Sequence, residues 1–180
     1  TVGWKQSNTQ SIQDLKFSAT ASYFGKHLYG DNGHIPIGLI SSAVGGASIE
    51  TFLVNQVDNG NGAQFGNSAL YKRLIYPYTN WENSETGKGI QLAGVIWYQG
   101  EADANSSKIT MPAYTKAMES MVSDYRTVFN DDSLPFMYVQ LAAFDNPGGE
   151  YAAMREAQFN YMIGKNTTNG KPENVGMAVI

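Results

Sequence analysis

The chain has 180 residues, of which 42% are hydrophobic and 16% charged, with a formal net charge of -4 and no cysteine. That size and balance describe one globular domain with a real core, and they exclude a disordered chain. The 12 basic residues are scattered and the sequence pI is about 5.1, which argues against nucleic acid or an anionic membrane as the main partner. Without cysteine there are no disulfides, no thiolate catalysis and no zinc-thiolate site, although the compartment stays open. No run approaches the ~20 consecutive apolar residues of a membrane span, and residues 1–16 lack the layout of a signal peptide. The chain opens at Thr1 and closes on the strand-like run 175–180, so it reads as a piece cut from a longer polypeptide.

Residues 1–14 show no period and read as loop. Asp14 or Ser18 can cap a helix running to about Tyr29, with Phe17, Ala21, Phe24 and Leu28 at helical spacing, and residues 30–33 stop it. A buried strand follows at 36–40, then a loop holding Gly45 and Gly46, then a short helix over about 48–54. Residues 58–62, Asp-Asn-Gly-Asn-Gly, form an exposed loop. A further short helix starts at Asn67, carries Leu70, Leu74 and Ile75, and ends before Pro77; residues 80–89 are polar and turn-rich.

Residues 92–98 then make a run of apolar and aromatic side chains that ends abruptly in Gln99, Gly100, Glu101, Ala102 and Asp103. Such a run reads as a buried parallel strand delivering polar groups to its C-terminal end, the edge where open α/β sheets place ligands. A long helix over about 110–129 carries Tyr114, Met118, Met121, Tyr125 and Val128 on one face, with Pro112 in its first turn. Residues 136–141 are another buried strand, 146–149 a turn, 150–163 a helix, 166–173 a loop and 176–180 the last strand. The pattern predicts an α/β fold: an incomplete three-layer αβα sandwich around a parallel, flavodoxin-like sheet, as one domain over 1–180. In that sheet the loops after Ile40, Tyr98 and Leu141 share one edge, which makes Gly45, Gly46, Gln99, Gly100 and Glu101 neighbours.

Consecutive glycines after a strand let backbone N–H groups point at a ligand oxygen, and a Gln99 amide from the next strand end can add a donor. Two or three fixed donors of this kind are what an oxyanion hole needs; the same glycines also serve as a plain structural turn. Ser41 and Ser42 lie in the right loop, but neither sits in a Gly-x-Ser-x-Gly elbow, and both also read as ordinary strand-end serines. His27 falls in a helix and His34 in a polar loop, so both read as structural or solvated, and no Asp-x-x-His occurs in the chain. Asp103 reads as a turn or helix-cap residue, whereas Glu101 reads as a buried carboxylate that orients a neighbour. No metal site and no cofactor is suggested.

Several stretches together resemble the sialate O-acetylesterase and carbohydrate acetylesterase branch of the SGNH hydrolases. They are 37–50 with its Gly45-Gly46 pair, 94–103 with Trp97-Tyr98-Gln99-Gly100-Glu101, 135–141, and the Met154-Arg155-Glu156-Ala157-Gln158 helix. The resemblance runs over nearly the whole chain in the family's order, and 17–25 is similar to the helix before the first of these strands. It implies a carbohydrate O-acetylesterase, a serine hydrolase that takes acetyl esters off sugars without a metal or cofactor. Its rival is a catalytically inactive carbohydrate-binding or structural module on the same scaffold. By the same resemblance Gly45 or Gly46 supplies an oxyanion backbone donor, Gln99 supplies a second donor, and Glu101 supports the site. Gly100, Arg155 and Gln158 then line the substrate side. Val44 stands where the family often has Trp, and Asp103 where it often has Asn. The nucleophile block and the Asp-x-x-His block of the family are both missing. Gln6-Ser7-Asn8 echoes the first but follows no apolar strand. The resemblance therefore implies that the rest of the same polypeptide supplies the catalytic serine and histidine, that the partner is an acetylated carbohydrate, and that the protein is secreted or periplasmic.

Overall fold

A computed structural model describes residues 8, 17–82, 91–145 and 147–180, and the chain divides into two compact units, Thr1–Ala43 and Val44–Ile180. The first unit contains helix α1, Ala19–Asp31, whose N-cap Ser18 accepts a hydrogen bond from the Ala21 N–H at 3.3 Å. The expected alternative cap Asp14 and the motif residues Gln6 and Ser7 lie outside the described residues. Gly25, the one fully buried position of α1, takes Leu39 against it: a Cβ there would sit 2.8 Å from Leu39 Cδ1. His27 is exposed, and His34 packs its ring edge-on against Tyr29 at 4.9 Å.

The strand expected at 36–40 does not form. These residues find no ladder partner among the described residues, and their side chains alternate only between exposed and half-buried. An apolar run becomes a strand when a neighbour takes its N–H and C=O groups, so hydropathy alone is not sufficient.

In the second unit the helix expected at 48–54 shrinks to a single 3-10 turn, Ile49–Thr51. The exposed loop at 58–62 is the tip of a minimal hairpin, β1 (Val57–Asp58) against β2 (Gln64–Phe65), antiparallel. Asx turns shape that tip: Asp58 Oδ1 accepts from the Gly60 N–H at 2.6 Å, and Asn59 Oδ1 from Asn61 and Ala63 at 2.9 and 3.1 Å. Helix α2, Tyr71–Glu82, runs straight through Pro77. A proline in a helix forfeits one N–H bond and crowds the preceding turn, yet here the apolar face of Leu74, packed on the core, carries the helix onward. The helix begins at Tyr71, not at Asn67 as expected; Asn67 instead closes an Asx turn before it, with Oδ1 accepting from the Ala69 N–H at 3.1 Å.

The organising strand is β3, Val95–Trp97, shorter than its apolar run. It leads into a one-turn helix, α3 (Glu101–Ala104), and then into the long α4, Met111–Phe129. Thr110 caps α4 by accepting from the Ala113 N–H at 3.4 Å, Pro112 sits in the first turn, and Asn130 closes the helix at φ 53°. Its buried face carries Tyr114, Met118, Met121 and Tyr125 as expected, but Val128 lies at 38% exposure, one turn beyond the covered stretch.

Strands β4 (Phe136–Val139) and β5 (Val175–Ala178) complete a parallel sheet in the order β3-β4-β5, with Trp97 opposite Tyr138 and Tyr138 opposite Met177. Helix α5, Tyr151–Ile163, bridges β4 to β5 and packs on α4, where Thr115 Oγ1 donates to the Ala157 carbonyl at 3.0 Å. Gly164 ends α5 at φ 74°, and a Cβ there would fall 2.3 Å from the Lys171 nitrogen, so only glycine fits the stop. The core is continuous from Ile49 and Leu53 through Tyr114, Met118 and Met121 to Phe136, Met154 and Tyr161. It holds the C-terminal ends of β3 and β4 side by side. Among the described residues no helix is long and apolar enough to cross a membrane.

Candidate active site

Beyond Trp97 the chain leaves β3 through Tyr98, Gln99 and Gly100. Strand alternation turns Trp97 into the core at 7% exposure, Tyr98 out at 42% and Gln99 in again at 8%. Gly100 then turns the chain at φ 142° into α3. A Cβ on Gly100 would meet Leu141 Cδ1 at 3.1 Å and Gln158 Nε2 at 3.2 Å, so the ends of β3 and β4 and the middle of α5 close on one another only around a hydrogen atom.

Gln99 is fixed at both ends of its amide. Tyr114 donates its hydroxyl to Oε1 at 3.0 Å, while Nε2 donates to Asp103 Oδ2 at 2.5 Å and to the Ala47 carbonyl at 3.0 Å. Asp103 Oδ2 also accepts from the Ile49 N–H at 2.9 Å. Gln99 and Asp103 together therefore clamp the segment after the glycine pair onto the end of β3. Within that segment Ala47 N–H donates back to the Val44 carbonyl at 3.3 Å, closing a turn around Gly45 and Gly46, with Gly46 at φ 74°. Both glycines are exposed, and their N–H groups carry no hydrogen bond among the described residues.

Gln158, fully buried, joins the other two strand ends. Its Nε2 donates to the Gln99 carbonyl at 3.0 Å, its Oε1 accepts from the Leu141 N–H at 2.9 Å, and its own carbonyl accepts from the Tyr138 hydroxyl at 2.7 Å. Arg155, one turn earlier, donates Nη1 to the Leu141 and Ile180 carbonyls, the latter at 3.5 Å, while its carbonyl accepts from Gln140 Nε2 at 2.9 Å. Gln99, Gly100 and Gln158 are thus in direct contact. Gly45 and Gly46 join them through Ala47, and Arg155 joins them through Leu141.

Two expectations exchange places. Glu101, expected to be the buried orienting carboxylate, is exposed, whereas Asp103, expected to be a turn or cap residue, is 1% exposed and does the orienting. Helical geometry is the reason: Gly100 starts a turn, so Asp103 falls four residues after Gln99 and comes back over its amide, while Glu101 points to solvent. The spacing from Gln99 to Asp103 was the signal available, and it needed knowledge that a helix begins at once. Burial raises the Asp103 carboxyl above its ordinary value, the bonds from Gln99 and Ile49 pull it back, and the charges of Glu50 and Glu101 raise it further. The Tyr114 hydroxyl is raised as well, chiefly by burial and then by the Asp103 charge, and so remains a neutral donor. Tyr114 is the other site residue missed: in sequence it is one more core aromatic on α4.

The exposed side of the same edge forms a cavity of about 270 Å³ lined by Tyr98, Glu101, Leu141, Phe144 and Tyr151, among others. Among the described residues no group of three or more acidic or histidine side chains is arranged to hold a metal ion.

Comparison with known proteins places this edge in context. The family model for carbohydrate esterases of the sialic acid-specific acetylesterase type matches residues 6–171. A sialate O-acetylesterase of Homo sapiens is 30% identical over 164 residues, an alignment covering 78% of this chain and 29% of the relative. The chain thus spans less than a third of the length of that relative. A crystal structure of a carbohydrate acetylesterase from Xanthomonas citri superposes with a TM-score of 0.68 at 29% identity, covering 91% of this chain and 34% of the other. A protein of known structure from Arabidopsis thaliana, 24% identical, shares the fold with a TM-score of 0.63 over 88% of this chain and 54% of its own.

Proposed function

The chain belongs to the sialic acid-specific acetylesterase family of carbohydrate esterases, and from that premise we propose that it forms the oxyanion side of an enzyme that removes O-acetyl groups from sugars. One observation carries the reading: two exposed glycines, whose N–H groups carry no hydrogen bond among the described residues, are clamped, through Ala47 and Ile49, onto a buried Gln99-Asp103 pair at the end of β3. The two glycine N–H groups are preorganised donors, which stabilise the negative oxygen of a tetrahedral intermediate because they need no rearrangement when the charge develops.

In this reading a serine supplied by another part of the polypeptide attacks the acetyl carbonyl, and a histidine takes its proton and hands it to the departing sugar oxygen. Water then releases acetate from the serine. The Gly45 or Gly46 N–H faces the oxyanion. Gln99 supplies the second donor when the developing oxyanion replaces the Ala47 carbonyl as acceptor of one Nε2 hydrogen, the other staying on Asp103. Glu101, Gly100, Arg155 and Gln158 shape the rim and the floor beside it. No metal or cofactor takes part. The names of the relatives favour this activity over an inactive binding module, and a secreted or periplasmic location follows from the family resemblance alone.

The test is hydrolysis of p-nitrophenyl acetate by the full-length protein with and without Gln99→Ala. A fall in kcat of roughly 10²–10³-fold is expected for a lost oxyanion donor. Equal rates would remove Gln99 from the chemistry, and absence of any serine-inhibitor-sensitive hydrolysis in the wild type would overturn the esterase reading.

A further inference from the structure

We propose that the cavity beside Gln99 is a subsite for the ring of a neutral sugar, gripped by Tyr98, Phe144 and Tyr151 and hydrogen-bonded through its hydroxyls to Glu101. The inference rests on the esterase reading and adds to it the class of sugar unit that the site receives.

The first argument is what the aromatic rings are doing. Phe144 is 61% exposed and Tyr98 42%, on an edge where Trp97, Tyr138 and Leu141 are all buried. Exposed aromatic faces gathered around one concavity, rather than scattered singly, mark a binding surface. Phe144 and Tyr151 meet edge to face at 5.2 Å, and Tyr151 is further fixed by its hydroxyl, which accepts from Asn105 Nδ2 at 3.0 Å. Asn105 Nδ2 also donates to the Glu101 carbonyl at 2.9 Å, so the ring of Tyr151 and the turn carrying Glu101 are tied into one frame. A frame set before binding costs little entropy on binding.

The second argument is size and polarity. About 270 Å³ lies just under the roughly 300–1,000 Å³ typical of pockets for drug-sized ligands, which suits a single pyranose ring. The walls supplied by Leu141, Ala142, Ala143 and Phe144 are apolar, matching the C–H face of a pyranose, while Glu101 supplies an acceptor for its hydroxyls. No hydrogen bond reaches the Glu101 side chain from the described residues, so its acceptor capacity is available.

The third argument is charge. Among the described residues, Glu101 is the only charged one lining the cavity. A carboxylate held there repels a carboxylate-bearing sugar and accepts from a neutral one. In an acidic-sugar glycoside, the neutral neighbouring unit takes this position and the acidic unit lies outside it.

The experiment is saturation-transfer NMR on the full-length protein with methyl glycosides of glucose, galactose and N-acetylgalactosamine, set against N-acetylneuraminic acid. At least one neutral glycoside should bind saturably and at least tenfold more tightly than the acidic sugar. Phe144→Ala, at an exposed position, and Tyr151→Ala should each weaken neutral binding at least tenfold, and Glu101→Gln should erase the discrimination against the acidic sugar. Hydrolysis of p-nitrophenyl acetate is run on the same samples. No binding by any neutral glycoside, preference for the acidic sugar, or full binding by both aromatic variants would overturn the subsite. Ester hydrolysis without sugar binding would sink the subsite alone, whereas sugar binding without hydrolysis would sink the esterase reading and keep the subsite.

Discussion

Replacing Asp103 by alanine probes the clamp most directly. Its Oδ2 accepts two hydrogen bonds, 2.9 Å from the Ile49 N–H and 2.5 Å from Gln99 Nε2, at a position 1% exposed. Removing the acceptor strands a buried backbone N–H and one amide hydrogen, and hydrogen bonds to a charged group contribute about 1.5–3 kcal/mol each. Set against that loss is relief of a carboxylate that burial already penalises and that Glu50 and Glu101 repel. The balance is a destabilisation of about 2–4 kcal/mol. In urea unfolding at pH 7, an m value of roughly 2 kcal/mol/M turns this into a midpoint lowered by about 1–2 M. The same variant should lose ester hydrolysis beyond its loss of folded protein, because the Gly45-Gly46 turn is no longer held to β3. A stability change under about 0.5 kcal/mol, the range of ordinary surface substitutions, would refute the clamp.

Asp103→Asn keeps a carbonyl acceptor and removes the charge, and it exposes the pH dependence. Because the folded-state carboxyl is raised above its ordinary value of 3.8, the folded chain binds more protons than the unfolded one between 3.8 and the raised value. The group's contribution is therefore greatest below that window and is lost as pH rises through it. Wild type should gain stability relative to Asp103→Asn as pH falls from neutral toward 4, and parallel urea midpoints over that range would contradict the assignment. Gly100→Ala places a Cβ at φ 142°, 3.1 Å from Leu141 Cδ1, and should cost about 1–3 kcal/mol in thermal unfolding; a wild-type Tm would show that the turn relaxes freely. Gln158→Leu keeps the volume but strips the Leu141 N–H and the Gln99 carbonyl of their partner, an expected loss of about 2–4 kcal/mol by denaturant titration, with no loss meaning that water replaces the amide.

The sequence by itself determined whatever depends on neighbours along the chain. Ser18 and Thr110 mark where α1 and α4 begin because capping is a local hydrogen bond, and the face of Tyr114, Met118, Met121 and Tyr125 follows from helical period alone. The β-branched and aromatic runs at 95–97 and 136–139 are legible as strand candidates, and the polar cluster Gln99-Gly100-Glu101 announces the C-terminal end of β3. Tertiary structure decided the rest. Residues 36–40 have a strand's composition but find no ladder partner among the described residues, and Pro77 does not stop α2 because packing of the helix face outweighs one lost bond. Which of two carboxylates two residues apart is buried depends on where the first turn of α3 starts, and so Asp103, not Glu101, came to hold Gln99. Gln158 is one amide among many in the sequence, and only the closure of the β3 and β4 ends against α5 around the hydrogen of Gly100 makes it the peg between β3 and β4. Local rules fix elements, since their energies lie within a turn or two of chain. A buried polar network belongs to distant segments at once, because desolvation obliges each group to find a partner wherever the fold brings one.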